Sequence, residues 1–189
     1  KIAVDMVKEK LISKKEAVLR IDPNSLDTLL HPTLDEKSSI NVIANGLPAS
    51  PGAASGKVVF TSEEAERLTG MMQDTILVRV ETSPEDIQGM HAAKGILTAR
   101  GGMTSHAAVV ARGMGRPCVS GSSEIDINYE NKSFKTASIE IKEGEVITID
   151  GSTGRIIAGS VATVKPEISG DFSKLMSWAD SFRKLNIRT

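Results

Sequence analysis

The sequence predicts an α/β domain in the central part of the chain. Short runs rich in β-branched residues, such as KVVF at 57–60 and TILVRV at 75–80, are typical of buried strands. Helix start signals follow the strands, for example Ser83 before Pro84, with acidic residues directly after the proline. Strands that alternate with helices along a chain indicate the α/β class.

The elements are predicted in a regular order. Residues 1 to about 20 are helical by composition, and Ser13 with Glu16 makes a capping box for a second short helix. In the centre, strands are expected at 57–60, 75–80, 95–98 and 118–121, and helices at 63–68, after Ser83, and at 105–112.

The last third of the chain changes character. Residues 125–135 and 139–150 each suggest a hairpin, and 150–158 suggest a turn into a last strand. Residues 171–185 predict an amphipathic helix behind an Asp171 N-cap, which packs on a neighbour. Its apolar face would consist of Phe172, Leu175, Met176, Ala179 and Phe182.

Segment 31–46 is mostly polar and ends at a glycine, which is typical of a linker. We therefore expect residues 36–46 to be a hinge linker, 47–164 to be the compact domain and 165–189 to be an outgoing linker helix. Because the chain starts with lysine rather than methionine and ends without a recognisable terminating motif, it is expected to be a piece of a larger protein.

Composition excludes several classes of function. A formal charge of −1 among 189 residues provides no basic surface for nucleic acid. No apolar run approaches the roughly 18 residues needed to span a bilayer, so no membrane role is expected. The single cysteine, Cys118, cannot form an internal disulfide, and no zinc-site spacing exists, which favours a reducing, cytoplasmic compartment.

The clearest chemical signal is GGMTSHAAVVA at residues 101–111. A buried strand runs into Gly101 and Gly102, which can take positive φ and let a ligand approach the backbone. The helix that follows places His106 in its first turn, where unpaired amides and the helix dipole stabilise an anion. Phosphate is the obvious anion, and imidazole is a suitable nucleophile for a phosphoryl group.

Neighbouring side chains suit the same chemistry. Thr104 and Ser105 supply hydroxyl groups, and Arg100 and Arg112 supply positive charge near the phosphoryl oxygens. The following helix residues, AAVVA at 107–111, are small and apolar all round, which predicts a helix sandwiched within the domain and a rigidly held histidine.

Spacing alone leaves a structural role open for each histidine. A lone histidine in a first helical turn is more often a capping or satisfied core residue than a catalyst. Arg112 could equally cap the helix carboxyl terminus, with Gly113 as the C′ residue. His31 precedes a proline in the linker and His91 lies late in a helix, so both are expected to be structural.

Other motifs fail on inspection. Gly113-Met114-Gly115 follows a helix rather than a strand and lacks the third glycine of a dinucleotide fingerprint. GAASGKV at 52–58 is one residue short of a P-loop, and no G-x-S-x-G serine elbow is present. We therefore predict no cofactor or metal site in this chain, and Cys118 is expected to be a buried apolar residue.

The string GGMTSHAAVVARGMGRPCVSG at 101–121 resembles the phosphohistidine, or central swivelling, domain of the pyruvate, phosphate dikinases. Three further strings resemble the same domain: GLPASPGAASGKVVF at 46–60, SPEDIQGMHAAKGILTARGG at 83–102 and DGSTGRI at 150–156. WADSFRKLNIRT at 178–189 resembles its link to the pyruvate-binding barrel. The resemblance therefore covers nearly the whole chain.

This resemblance implies a swivelling β/β/α domain with flanking linker helices and a carrier role for His106, phosphorylated on Nε2. The family reaction converts ATP, phosphate and pyruvate into AMP, pyrophosphate and phosphoenolpyruvate. His106 would take a pyrophosphoryl group from an ATP-grasp domain, lose the terminal phosphoryl to phosphate, and hand the other to pyruvate in a (β/α)8 barrel. The expected phosphoryl-stabilising residues are Gly101, Gly102, Thr104, Ser105 and Arg112.

The family implies further properties. Thr104 matches the threonine that plant relatives phosphorylate to switch the enzyme off, and Mg²⁺ would be bound by the partner domains of the same chain. Residues 1–35 would belong to the end of the nucleotide-binding portion or to the incoming linker. The domain would swing on hinges near 36–46 and 165–170, in an enzyme expected to be a homodimer. The fragment alone should not turn over.

Phosphoenolpyruvate synthase and enzyme I of the sugar phosphotransferase system share the GG-x-T-x-HAA core. Met103 stands where they tend to have arginine, and CVSG at 118–121 stands where they tend to have a more apolar strand. Pro117 replaces the cysteine often found beside Cys118 in dikinases. The alternative functions are therefore a carrier domain of one of these two enzymes, or a non-catalytic interaction module with a structural histidine.

Overall fold

The computed structural model describes residues 1–22, 26, 30–35, 40–164 and 170–184. The chain divides into two compact units, one formed by residues 1–30 with 166–189 and the other by residues 31–165. The sequence analysis treats the two ends of the chain as separate linkers. The structure instead groups them into one helical unit.

The helical unit contains α1 (Ile2–Lys8), α2 (Lys14–Leu19) and α6 (Gly170–Phe182). The predicted capping box begins α2, since the Ser13 hydroxyl accepts from the Glu16 amide and the Glu16 carboxylate accepts from the Ser13 amide. In α6 the helix begins one residue before Asp171, so the predicted N-cap lies inside the first turn. Of its predicted apolar face, Leu175 is buried, whereas Met176 and Phe182 are exposed.

The larger unit contains the sheets and the remaining helices. Its helices are α3 (Ser62–Gly70), a 3₁₀ turn (Pro84–Asp86), α4 (Ile87–Ala92) and α5 (His106–Gly113). Its strands are β1 (Thr33–Leu34), β2 (Val42–Asn45), β3 (Leu47–Ser50), β4 (Ala53–Val59), β5 (Thr75–Arg79), β6 (Gly95–Thr98), β7 (Cys118–Ser120), β8 (Asp126–Asn128), β9 (Ser133–Lys135), β10 (Glu140–Lys142), β11 (Val146–Asp150), β12 (Arg155–Ala158) and β13 (Thr163–Val164).

An eight-stranded sheet forms the middle of this unit, with the order β2-β12-β11-β4-β5-β6-β7-β3. Strands β4 to β7 are parallel, and the strands outside them pair antiparallel. A second sheet has the order β10-β9-β8, and β1 pairs with β13 in a short ribbon. The four parallel strands therefore end at one edge of the main sheet.

Three layers follow from the alternation of side chains along the central strands. On β5, Ile76 and Val78 face the small sheet, where they join Phe134 and Ile141 in one hydrophobic cluster. Leu77 faces the other way, into a cluster that contains residues of α3, α4 and α5. The order small sheet, main sheet, helices confirms the β/β/α fold class.

Two parts of the predicted element order are wrong. Residues 42–45, expected within the hinge linker, form β2 at the edge of the main sheet, because Ile43 and Ala44 are buried in the core. The hairpin expected at 139–150 does not form. Strand β10 pairs with β9 in the small sheet, while β11 lies between β4 and β12 in the main sheet.

Residues 36–39 and 165–169 of the predicted hinge segments lie outside the described residues. A further strand, β13, follows the strand that the sequence analysis expected to be the last.

Candidate active site

The loop of residues 99–105 leaves β6 at the carboxyl edge of the parallel strands. The Ala99 and Arg100 amides still donate to the Arg79 and Val80 carbonyls, at 3.0 and 2.9 Å. The segment after β5, residues 80–83, therefore runs beside this loop. Residues that follow neighbouring parallel strands meet at such an edge, which is the usual place for a ligand site in α/β sheets.

Gly101 is required by the geometry of the loop. Its φ is +108°, and an added Cβ would lie 2.9 Å from the Ser105 Cβ and 3.2 Å from the Ser120 Oγ. Gly102 differs, because its φ is outside the left-handed region and no atom lies within 4 Å of an added Cβ. The expectation of positive φ is thus correct for Gly101 and wrong for Gly102, which instead faces open space.

Helix α5 begins with a side-chain cap. The Ser105 Oγ accepts from the Ala108 amide at 3.3 Å and lies 3.4 Å from the Ser120 Oγ, to which the buried Thr98 hydroxyl donates at 3.2 Å. His106 is the first helical residue, as predicted.

The rest of α5 differs in two ways from the prediction. Ala107, Ala108 and Ala111 are buried, but Val109 is 55% exposed, so the helix packs on one side rather than being sandwiched. The helix ends in a Schellman motif with Gly115 as C′ residue, at φ +63°, and not with Gly113.

The His106 ring is half-buried, and its Nδ1 lies 3.1 Å from the Thr82 Oγ1. Within the described residues, Nε2 has no hydrogen-bond partner. The first amides of α5 adjoin the ring and have no carbonyl partner within the helix, so this end attracts an anion. The arrangement fixes one ring nitrogen and leaves the other available to react.

Sequence reasoning missed Thr82. It lies in no recognisable motif, and its contact with His106 spans 24 residues of chain. The one available signal was topological, since Thr82 follows the carboxyl end of β5, the strand that pairs with β6.

The structure places the other predicted residues around the loop. Thr104 is exposed, and Arg100 is an exposed residue 4.0 Å from the Glu81 carboxylate. The Arg112 guanidinium donates to the Ala49 carbonyl at 2.9 Å and to the Met103 carbonyl at 3.3 Å. Arg112 thus ties the loop to β3, and its contact with a phosphoryl group stays a prediction.

Cys118 lies on β7, fully buried in the helix-side cluster, as expected for an apolar residue. Burial raises the pKa of its thiol to about 12, and the nearby Arg112 charge lowers it only in part. A thiol with so high a pKa is a poor nucleophile near neutral pH, so Cys118 is not a candidate nucleophile.

Neither a metal cluster nor a membrane span is found in the described part of the chain. Among those residues, no group of three or more His, Cys, Asp and Glu side chains could hold a metal ion. No helix in the same residues has the length and apolar character to cross a bilayer.

Comparison with known proteins assigns the class of this domain. Residues 71–154, which include the loop, His106 and Thr82, match the family model "PEP-utilising enzyme, mobile domain". The match lies within the larger unit, which is therefore similar to the mobile domain of PEP-utilising enzymes.

The particular relatives are pyruvate, phosphate dikinases. The chain is 60% identical over 189 residues to that of Rhizobium meliloti and 56% identical over 190 residues to that of Clostridium symbiosum. It is 53% identical to the chloroplastic pyruvate, phosphate dikinase 1 of Arabidopsis thaliana. These matches cover 99–100% of the chain and confirm the resemblance, but the chain spans only about a fifth of each relative, 20–22%.

Proposed function

We propose that this chain is the phosphoryl-carrier domain of a pyruvate, phosphate dikinase and that His106 carries the phosphoryl group. The observation that carries the proposal is the pairing of His106 Nδ1 with Thr82 Oγ1 at 3.1 Å, with Nε2 left without a partner among the described residues. The similarity to the dikinases favours this function over the phosphoenolpyruvate synthase, enzyme I and interaction-module alternatives.

The reaction needs the neutral histidine tautomer with its proton on Nδ1. In that tautomer Nδ1–H donates to Thr82 Oγ1, 3.1 Å away, so the Nε2 lone pair points away from the contact and can attack phosphorus. When phosphoenolpyruvate is the phosphoryl donor, an Nε2–P bond forms and the bridging P–O bond breaks. The enolate that leaves takes up a proton to give pyruvate. The helix start and the open backbone at Gly102 accommodate the phosphoryl oxygens.

In the full cycle, ATP, phosphate and pyruvate would give AMP, pyrophosphate and phosphoenolpyruvate. His106 would accept a pyrophosphoryl group at the ATP-grasp domain, lose the terminal phosphoryl group to phosphate to give pyrophosphate, and deliver the remaining phosphoryl group to pyruvate at the barrel. Mg²⁺, which would neutralise phosphate charge, is assigned to those partner domains. The described residues of this chain do not fit a metal site, and none of the steps above uses one.

The proposal extends to the whole enzyme. Residues 1–30 belong to the end of the nucleotide-binding portion, whereas 31–35 lie in the larger unit, and the residues after 165 lead towards the barrel. The carrier domain swings on hinges that precede β2 and follow β13, within a cytoplasmic homodimer. A separate core in the larger unit supports motion as one body.

The test uses full-length enzyme and ³²P-labelled phosphoenolpyruvate. We expect base-stable, acid-labile label on His106, and none when His106→Asn is used. His91→Asn is the matched control, because His91 lies late in α4 and its imidazole makes no hydrogen bond among the described residues, while its carbonyl accepts from the Arg116 guanidinium at 2.9 Å. Normal labelling of the His106→Asn enzyme would mean that another residue is the carrier.

A further inference from the structure

We propose that Tyr129 and Asp86 are positioning residues, which hold Thr82 against His106 by fixing the backbone on both sides of it. This inference rests on the proposed carrier function of His106. It assigns a role in the reaction to a tyrosine of the small sheet and to a buried carboxylate. Neither side chain is hydrogen-bonded to the imidazole of His106.

The backbone of segment 80–83 is anchored at two amides. The Val80 amide donates to the Tyr129 hydroxyl at 2.8 Å, and the Ser83 amide donates to the Asp86 carboxylate at 2.9 Å. The anchors lie two residues before and one residue after Thr82. A side chain whose neighbours are held in this way has little freedom to leave its partner.

Asp86 is itself held from three directions. It is 5% exposed, and its Oδ1 accepts from the Ser62 hydroxyl of α3 at 3.0 Å. The Arg79 Nε lies 3.4 Å from the same oxygen, a charge contact rather than a hydrogen bond, while Oδ2 accepts from Ser83. The carboxylate therefore links α3, the end of β5 and the segment that carries Thr82 at one fixed point.

Tyr129 reaches the same segment from the tip of the hairpin between β8 and β9. Its ring meets Phe60 edge-on, with centroids 6.4 Å apart, and the Arg79 guanidinium lies 5.4 Å above it. Arg79 also donates to the Phe60 carbonyl at 3.0 Å. The small sheet thereby extends one anchor over the main sheet to the site, although its strands lie on the opposite face from α5.

Loss of either anchor should let Thr82 move away from the ring. The Nδ1–H then loses its acceptor, and a smaller fraction of His106 has the lone pair on Nε2 in the direction of attack. Under the proposed function phosphoenolpyruvate binds to the barrel rather than to these two residues, so the rate of transfer should fall while binding is kept.

The experiment measures single-turnover phosphorylation of full-length enzyme by phosphoenolpyruvate. Tyr129→Phe removes only the hydroxyl, Asp86→Asn removes the charge and turns one of two accepting oxygens into a donor, and Thr82→Val removes the contact itself. We expect each to lower the rate at saturating phosphoenolpyruvate by about tenfold or more, with the half-saturating concentration unchanged. Asp150→Asn is the matched control, a buried carboxylate 3.0 Å from Arg155 at the opposite edge of the sheet, expected to stay within about twofold of wild type.

Two further measurements separate positioning from general damage. In the Thr82→Val background, Tyr129→Phe and Asp86→Asn should cause no additional loss, because they act through Thr82. The ¹⁵N chemical shifts of His106 should show one tautomer in wild type and a mixture in each variant. If Asp86→Asn does not fold, as judged by its thermal unfolding, Tyr129→Phe decides alone.

The outcomes distinguish this inference from the proposed function. An unlabelled His106 in the wild-type enzyme would refute the carrier function itself. Labelled wild type with unchanged rates in Tyr129→Phe and Asp86→Asn would overturn only the positioning role. Losses that multiply with that of Thr82→Val would overturn it as well, since the residues would then act by another route.

Discussion

Two neighbouring segments meet at His106, and they are held in different ways. The loop 99–105 is fixed mainly by its own residues. Gly101 has a positive φ, and the Ser105 hydroxyl contacts the hydroxyl of Ser120 on β7. Segment 80–83 is fixed at Ser83 by the nearby Asp86 carboxylate and at Val80 by the distant Tyr129 hydroxyl. Constraints that lie within a loop can be recognised from its own sequence, whereas a contact with a distant residue such as Tyr129 cannot.

The two segments also differ in the exposure of their threonines. Thr104 of the glycine loop is exposed, whereas Thr82 is half-buried with its hydroxyl at the imidazole. We expect the first to be accessible to a modifying group and the second to orient the ring. Changes in the two segments should therefore have separable effects on charge, on stability and on ring orientation.

The largest effect is expected from a negative charge on the exposed threonine. For unit charges about 5 Å apart at an effective dielectric of about 20, repulsion of the incoming phosphoryl group is about 3 kcal/mol. Thr104→Glu should then slow phosphorylation of His106 by ATP on the order of a hundredfold. The measurement is single-turnover phosphorylation of full-length enzyme at two salt concentrations.

Thr104→Gln and Thr104→Val are the controls, because they change the side chain without adding charge. Both should slow the step far less than glutamate does. A phosphothreonine, with nearly two charges, should be more inhibitory than glutamate. Equal slowing by glutamate and glutamine would contradict the electrostatic account and point to a lost hydroxyl contact.

The next effect tests whether the glycine loop holds itself. Gly101→Ala must place a Cβ at φ +108°, 2.9 Å from the Ser105 Cβ, which combines backbone strain with overpacking. We expect a loss of about 2–3 kcal/mol in the free energy of unfolding, measured by urea titration of the chain. Disruption of the Ser105 cap should accompany it.

Gly102→Ala is the matched partner of this change. Its added methyl meets no atom within 4 Å, so the free energy of unfolding should change by no more than about 0.5 kcal/mol. If phosphoryl oxygens approach the backbone at this point, the rate of phosphorylation should nevertheless fall. Similar destabilisation by the two alanines would show that the loop is held differently from the structure described above.

The contrast between the segments also explains what the sequence could predict. The central strands have β-branched runs and the helices have start signals within a few residues, so β4 to β7 and α3 to α5 were correctly expected. Strand β2 was missed, because Val42–Asn45 is a short edge strand with asparagines around it. The strand predicted to pair with β10 was wrong, because a turn at Gly144 can either close a hairpin or lead the chain from one sheet to the other.

At the site, the residues next to His106 in sequence were found and the residues next to it in space were not. Gly101 and Ser105 act through their own loop, where local rules for φ and capping apply. Thr82, and the Tyr129 that anchors its segment, can be assigned to the site only when the order of the strands in the sheet is known. That order depends on the packing of two layers, which no local pattern encodes.

The smallest predicted effect concerns the buried strand on which the glycine loop rests. Cys118 lies on β7, paired with Ile96 of β6, and burial raises the pKa of its thiol from 9.0 to about 12. The folded chain thus keeps this proton over a range in which the unfolded chain releases it. The contribution is fully present below about pH 9 and is lost as the pH rises from 9 towards 12, by about 1 kcal/mol at pH 10.

Cys118→Ala isolates this contribution from the titration of lysines and tyrosine. The difference in free energy of unfolding between wild type and Cys118→Ala, measured in urea at pH 7 and pH 10, should shrink by about 1 kcal/mol at the higher pH. The native thiol should also resist alkylation at pH 7, because the thiolate is the reactive form. A difference that stays constant between the two pH values, together with rapid alkylation, would mean that water reaches β7 and that the glycine loop does not rest on a closed layer.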